Sequence, residues 1–304
     1  MTGRAPQPDR TGAPAYRWVA QVALIVSATA TGLVIAIDHR LPNGWHNTVV
    51  AVACVAYVVM IVAEQRWGGL TIALVATALI ASTVVALSVP PRFTGDLWAY
   101  AASGRTLAVH HVNPWTHSPA DFPHDPIFRL VAGPWAHTPS VSGPLFTGIS
   151  ALGATVVGTA ALPIRLFYQG LAAIALGSAG LLVWSRTRSA AAVAFLTVHP
   201  VAFMYLVNGG RNDIYVGLAM LGAVILLARD RPGTAGVVAG LGALVKITGT
   251  VGLVALLVTT IARGSPRAAR RLASGIVAVV GVGFLAAGWS AVSAPLKSAG
   301  SLYS

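Results

Sequence analysis

The chain has 304 residues, 56% hydrophobic and only 9% charged, with a mean hydropathy of +0.74. A soluble domain carries about 25% charged residues, so a soluble globular fold is excluded. The formal charge of +12 comes from 20 Lys and Arg against 8 Asp and Glu. The basic residues stand in short clusters between apolar runs and read as topology signals, so no nucleic-acid partner is expected. Cys54 is the only cysteine, which rules out an intrachain disulfide.

In chain order, residues 1–16 are polar and Pro-rich and are expected to form a cytoplasmic tail, not a cleaved signal. Apolar runs follow at Tyr16–Ile37, Thr48–Ala63 and Leu70–Val89, the last stopped by Pro90-Pro91. A bilayer core of about 30 Å asks for about 20 such residues per helix. The next segment, Arg92–Pro144, is different: it holds five of the eight histidines, three of the eight acids and three of the eight tryptophans. Beyond it lie apolar runs at Leu145–Ala161, Ile164–Trp184, Ala190–Val207, Ile214–Ala228, Thr234–Val245, Thr250–Ala262 and Leu272–Trp289.

The Lys/Arg bias sets the expected orientation. Arg4, Arg10 and Arg17 place the N-terminus in the cytoplasm, and so do Arg186, Arg188, Arg229, Arg231, Arg263, Arg267, Arg270 and Arg271 for their own turns. The two ends of the chain agree only if one run between Pro144 and Trp184 does not cross, and the Gly- and Thr-rich Leu145–Ala161 is the one expected to lie at the outer interface or re-enter. The expectation is an all-α polytopic membrane protein over 1–304, a single transmembrane domain of about nine helices. An outer loop over 91–162 would carry interfacial helices, one of them at Trp98–Val109.

With so few charges, each one is informative. Asp38, Asp96, Asp121, Asp125 and Asp213 face outside in this topology. An acid near the membrane is expensive unless paired or functional. Asp96 and Tyr100 share a helix face at the i, i+4 spacing, with Ser103 close to it; helix capping is the plainer role for Asp96. Asn208-Gly209-Gly210-Arg211-Asn212-Asp213 joins two flexible glycines to a cation, an amide and a carboxylate. Lys246 interrupts Thr234–Ala262, which is too long for one helix and short for two; an anion is its natural partner, and snorkelling the plainer role. His110, His111, His117, His124 and His137 show no metal-ligand spacing, so a divalent metal is not indicated and no cofactor is required. Arginine and lysine suit a lipid phosphate, and a carboxylate suits a general base.

Gly95-Asp96-Leu97-Trp98-Ala99-Tyr100, Val109-His110-His111-Val112-Asn113-Pro114-Trp115-Thr116-His117 and His137-Thr138-Pro139-Ser140-Val141-Ser142-Gly143-Pro144 together resemble the polyprenol-phosphate-mannose-dependent alpha-1,6-mannosyltransferases of actinobacteria. Those enzymes have the GT-C fold and build lipomannan and lipoarabinomannan. The Asn208–Asp213 loop and the stretch Gly240–Lys246 are similar to that family's loop and lysine-bearing helix, although the family has His where Arg211 stands. Family members are longer, so a truncated member is one reading.

The resemblance implies a GT-C-like fold and transfer of mannose, with inversion, from polyprenyl-phosphate-mannose to a lipoglycan or glycolipid acceptor. The site would lie on the outer, periplasmic side of the plasma membrane, among membrane lipid. Asp96 is implied as base. Asp213 is the other carboxylate expected in the catalytic site, where its neighbours suggest that it organises the phosphate end, and it is the next candidate for the base. Tyr100, Arg105, His110, Asn113, His117, His137, Arg211, Asn212 and Lys246 are the expected substrate-binding residues. A lipid-linked sugar or solute transporter, or a catalytically inactive partner of a full-length transferase, would explain the spans equally well. The topology predicts that cysteines placed at Ser118 and Ser301 react with an impermeant thiol reagent from outside the cell; labelling of Ser118→Cys only from the cytoplasm would overturn it.

Overall fold

The structure is a computed structural model that describes residues 16–37 and 44–294. The expected tail, the Asp38 turn and Ser301 lie outside the described residues. All the regular structure among those described is helical: α1 Arg17–Ile37, α2 Trp45–Trp67, α3 Ile72–Ser88, α4 Asp96–Ala108, α5 Gly133–Ala136, α6 Pro144–Val156, α7 Ala161–Thr187, α8 Ala190–Thr197, α9 Asp213–Leu227, α10 Pro232–Val245, α11 Gly249–Ala262 and α12 Pro266–Ala287.

The chain divides into two compact units. The first contains α1–α3, the end of α7 and α8. Its core gathers Leu24, Tyr57, Met60, Val75 and Ala194. Polar groups inside it are satisfied locally: Ser27 Oγ donates to the Ala53 carbonyl (2.9 Å) and Tyr57 Oη to that of Phe195 (2.5 Å). Outside that core, α2 exposes Val55, Val58 and Val62 along one side. An apolar face of that kind belongs against lipid.

The second unit contains α4–α6, most of α7 and α9–α12. Leu97, Tyr100, Phe146, Tyr168 and Val245 form its central cluster. In it α10 and α12 run parallel in close contact, because Gly236 lies against the backbone at Leu272 and Ile276 while Gly275 lies against Gly233 and Val237. Small residues at such contacts let helices approach within membranes.

Among the described residues four helices, α1, α2, α7 and α12, are long and apolar enough to cross a membrane. The apolar helices α3, α6, α9, α10 and α11 are shorter. The 13 residues of α6 reach only about 20 Å at 1.5 Å per residue. Two runs are also more broken than their composition suggests. Ala190–Val207 stops at Thr197 before His199-Pro200, and resumes as a wide single turn, Ala202–Val207; a proline has no N–H to continue the ladder. Thr234–Ala262 breaks at Lys246, which adopts extended backbone (φ −156°, ψ 138°) between α10 and α11.

Replacement of Gly236 or Gly275 by Leu drives a side chain into a neighbouring helix backbone, and overpacking costs about 1–3 kcal/mol. Both variants are expected to melt lower in detergent than the parent, whereas Gly281→Ala, which faces open space, melts with it.

Candidate active site

The site is built where the chain enters α4 and α9, within the second unit. Gly95 caps α4, and Thr94 Oγ1 accepts the Asp96 N–H (3.1 Å). Asp96 is the first helical residue, so its carboxylate is not spent on capping. The Asn208–Asp213 loop is anchored by Asn208, which is fully buried. Its Oδ1 accepts from the Arg92 N–H (2.9 Å), its Nδ2 donates to the Pro90 carbonyl (3.2 Å), and its own carbonyl accepts from Gln169 Nε2 (2.7 Å).

The two glycines then let the loop press on the start of α4. A β-carbon at Gly209 would strike Thr94 and the Tyr205 carbonyl. Gly210 has φ +61° and leaves a β-carbon only 3.0–3.1 Å from Tyr168 and Leu97. What the glycines approach is therefore α4 and α7.

That approach sets Arg211 between two acids. Its Nε lies 3.1 Å from Asp96 Oδ2 and 3.2 Å from Asp213 Oδ2. Neither contact has hydrogen-bond geometry: Arg211 Nε and Asp213 Oδ2 are buried atoms whose attraction is one of charge alone. Asp213 opens α9, just after Asn212 at the N-cap position, whose side chain makes no capping bond; Asp213 Oδ1 accepts a hydrogen bond from Lys246 Nζ at 2.7 Å. Asp96, Arg211, Asp213 and Lys246 thus form a row of alternating charge. Asp96, Arg211 and Lys246 line a cavity of about 590 Å³, whereas Asp213, which links the two cations, is not part of its wall.

Beside the row, Tyr100 Oη donates to Asn212 Oδ1 (3.2 Å) and Asn212 Nδ2 donates to Ser142 Oγ (3.2 Å). The Trp115 indole N–H holds the Ser142 carbonyl at 2.8 Å. Burial, followed by the charges of Asp96 and Asp213, holds the Tyr100 hydroxyl well above its ordinary pKa, so it stays a donor. Ser103 shares the cavity wall with Asp96 and Tyr100, as the helical spacing requires.

Of the residues expected to meet substrate, Asp96, Tyr100, Arg211, Asn212 and Lys246 line this cavity. Arg105 and His110 do not. They converge on Asp125: Arg105 Nε lies 2.9 Å from both carboxylate oxygens and His110 Nε2 lies 2.7 Å from Oδ2. The His110 ring also stacks on Phe122, with centroids 4.0 Å apart. Asn113 binds Ser290 Oγ (2.9 Å) and its side-chain oxygen accepts the Trp115 N–H (2.9 Å). His117 is exposed and turns back on Thr116 and Asn113, and His137 is exposed at the end of α5. Among the described residues no three His, Cys, Asp or Glu side chains come together as metal ligands. Sequence reasoning missed Ser142, Phe93 and Trp135 as cavity residues. Ser142 stood inside the family-like block, but nothing in its composition distinguishes it from a turn serine.

The described residues, all-helical with membrane-length apolar helices and a cavity lined by charged side chains, fit an integral membrane protein. More particularly, residues 86–263 match the alpha-(1->6)-mannopyranosyltransferase N-terminal domain, and the chain belongs to that family of glycosyltransferases. The matched residues include every member of the charged row. No curated protein and no solved structure matches the chain.

Burial pushes Asp125 up, but the Ile127 N–H, His110 and Arg105 outweigh it and hold the carboxyl below its ordinary value. A depressed carboxylate stabilises the fold fully above its unfolded pKa of about 3.9, and the contribution is lost as pH falls through the lower folded value. Asp125→Ala strands Arg105 and is expected to cost on the order of 3 kcal/mol in unfolding measurements at pH 7. The gap between variant and parent should narrow as the pH is taken below that range.

Proposed function

We propose that the chain transfers mannose from polyprenyl-phosphate-mannose to a lipoglycan or glycolipid acceptor at the outer face of the plasma membrane, with inversion at the sugar. The observation that carries this reading is the charged row Asp96–Arg211–Asp213–Lys246, whose Asp96, Arg211 and Lys246 line the cavity. It offers a carboxylate for the acceptor and two cations for a phosphate. In this reaction Asp96 takes the proton of the acceptor hydroxyl as its oxygen attacks the anomeric carbon. The bond from that carbon to the phosphate oxygen breaks, and polyprenyl phosphate departs with the added negative charge.

Arg211 and Lys246 suit the departing phosphate. The guanidinium is engaged by charge but not by aligned hydrogen bonds, so its N–H groups can turn to phosphate oxygens. Lys246 uses one of its three N–H donors on Asp213. Asp213 then serves to position both cations. Tyr100 and Asn212 are proposed to orient the sugar, and fixing donor and acceptor together supplies much of the rate.

The proposed topology is the GT-C-like one of about nine crossings in a single transmembrane domain, with the loop over 91–162 outside. In it α3 and the broken run Ala190–Val207 cross, and so do the shorter helices α9, α10 and α11. Their arginine-bearing turns, at Arg229–Arg231 and Arg263, stand at the opposite end from Asp213 and Lys246. At 14 or 15 residues, about 21–23 Å, these helices fall short of a core of about 30 Å. A site at their outer ends is thereby recessed toward the level of a lipid-borne phosphate.

Asp96→Asn keeps shape and removes basicity; transfer from labelled polyprenyl-phosphate-mannose in membranes should fall about a hundredfold to ten-thousandfold with expression intact. Near-normal transfer would move the role of base away from Asp96, with Asp213 next in line. Arg211→Gln and Lys246→Gln are expected to raise the KM for donor more than that for acceptor.

A further inference from the structure

At the far end of the second unit from the charged row lies another cavity, of about 610 Å³ and mostly apolar. Met220 and Val224 of α9 and Ala255 and Leu256 of α11 form its walls. Thr259 and Thr260 also face it, but their hydroxyls are spent on the carbonyls of Ala255 and Leu256 (2.7 Å each). The walls therefore offer no polar group in need of a partner, and they suit a hydrocarbon chain. The volume lies within the range of about 300–1,000 Å³ typical of small-molecule sites.

The end of this cavity is charged. Arg263 and Asp230 both border it, in the turns that follow α11 and α9. Those turns and the start of α12 carry Arg229, Arg231, Arg263, Arg267, Arg270 and Arg271, all exposed, against Asp230 as the one acid. Among the described residues none of these arginines has an ion-pair partner. The parallel packing of α10 and α12 brings both arginine groups to one end.

We propose that this cavity holds an acyl chain of an anionic phospholipid from the leaflet facing the arginine-rich end, with its phosphate held by Arg263 and neighbouring arginines. The pairing follows from charge complementarity joined to an apolar recess. A soluble anion would leave the recess unused, and a neutral lipid would leave the arginines without a counter-charge. The site is separate from the transfer site and does not depend on the proposed reaction.

The test uses the purified full chain in detergent, titrated with phosphatidylglycerol, phosphatidylcholine or glycerol 3-phosphate, with bound lipid counted by native mass spectrometry. Phosphatidylglycerol should be retained in preference to phosphatidylcholine and should resist displacement by glycerol 3-phosphate. Arg263→Gln should weaken its retention about fivefold, the equivalent of ~1 kcal/mol for one basic residue at an anionic surface. Ala255→Phe fills the recess and should abolish tight retention while leaving the melting temperature of the lipid-free protein unchanged. Equal retention of phosphatidylcholine, displacement by glycerol 3-phosphate, or unchanged retention in Ala255→Phe would each overturn the proposal. If Ala255→Phe does not accumulate, Arg263→Gln decides the matter, and unchanged affinity in that variant refutes it.

Discussion

The seating of Arg211 between Asp96 and Asp213 is the interaction on which the site depends. It exists because Gly209 and Gly210 allow the loop backbone to lie against Thr94, Leu97 and Tyr168. A larger residue at either position would lift the loop from α4 and pull the guanidinium away from Asp96. Asn208 fixes the other end of the loop by tying it to Pro90, Arg92 and Gln169. The two acids are thus brought together from opposite sides of one cation.

Four charged groups so close together would be costly in a largely apolar interior. The cost is contained in two ways. Their signs alternate, so each charge meets its opposite, and every one of the four side chains keeps some exposure, so none is wholly withdrawn from water. The contacts of Arg211 are attractive without being aligned hydrogen bonds. Such an arrangement holds the cation in place yet leaves its directional bonding free for the phosphate of the proposed donor. The break after α10 serves the same end, since the extended backbone at Lys246 points its side chain to Asp213 where a continuous helix would carry it past.

The loop before α6 shows the complementary use of charge. Arg105, His110 and Asp125 satisfy one another away from the cavity, and the stacking of His110 on Phe122 adds an apolar cover. Three titratable groups of the kinds found in active sites are here a clasp that holds α4 to the loop. Ser142, by contrast, reaches the site's hydrogen-bond network through Asn212 and through the Trp115 indole. A chemically plain residue is therefore closer to the site than an arginine and a histidine that read as more promising.

By itself the sequence determined the helical, membrane-embedded class, because long uncharged runs leave a chain no other way to satisfy its backbone. It also singled out Asp96, Arg211, Asp213 and Lys246, because in a chain with 9% charged residues a cation or acid between apolar runs is rarely idle. The break at Lys246 was legible as a stretch of the wrong length for one helix or two. Only the tertiary structure decided which charges pair. Asp96 and Arg211 are separated by more than a hundred residues, and Arg105, on the same helix as Asp96, pairs with Asp125 instead. Helical periodicity records which face of an element is apolar, but not which neighbour that face meets or at what register. The meeting of loop, α4 and helix break is set by close packing at Gly209, Gly210 and Leu97, and that packing exists only once the helices have assembled.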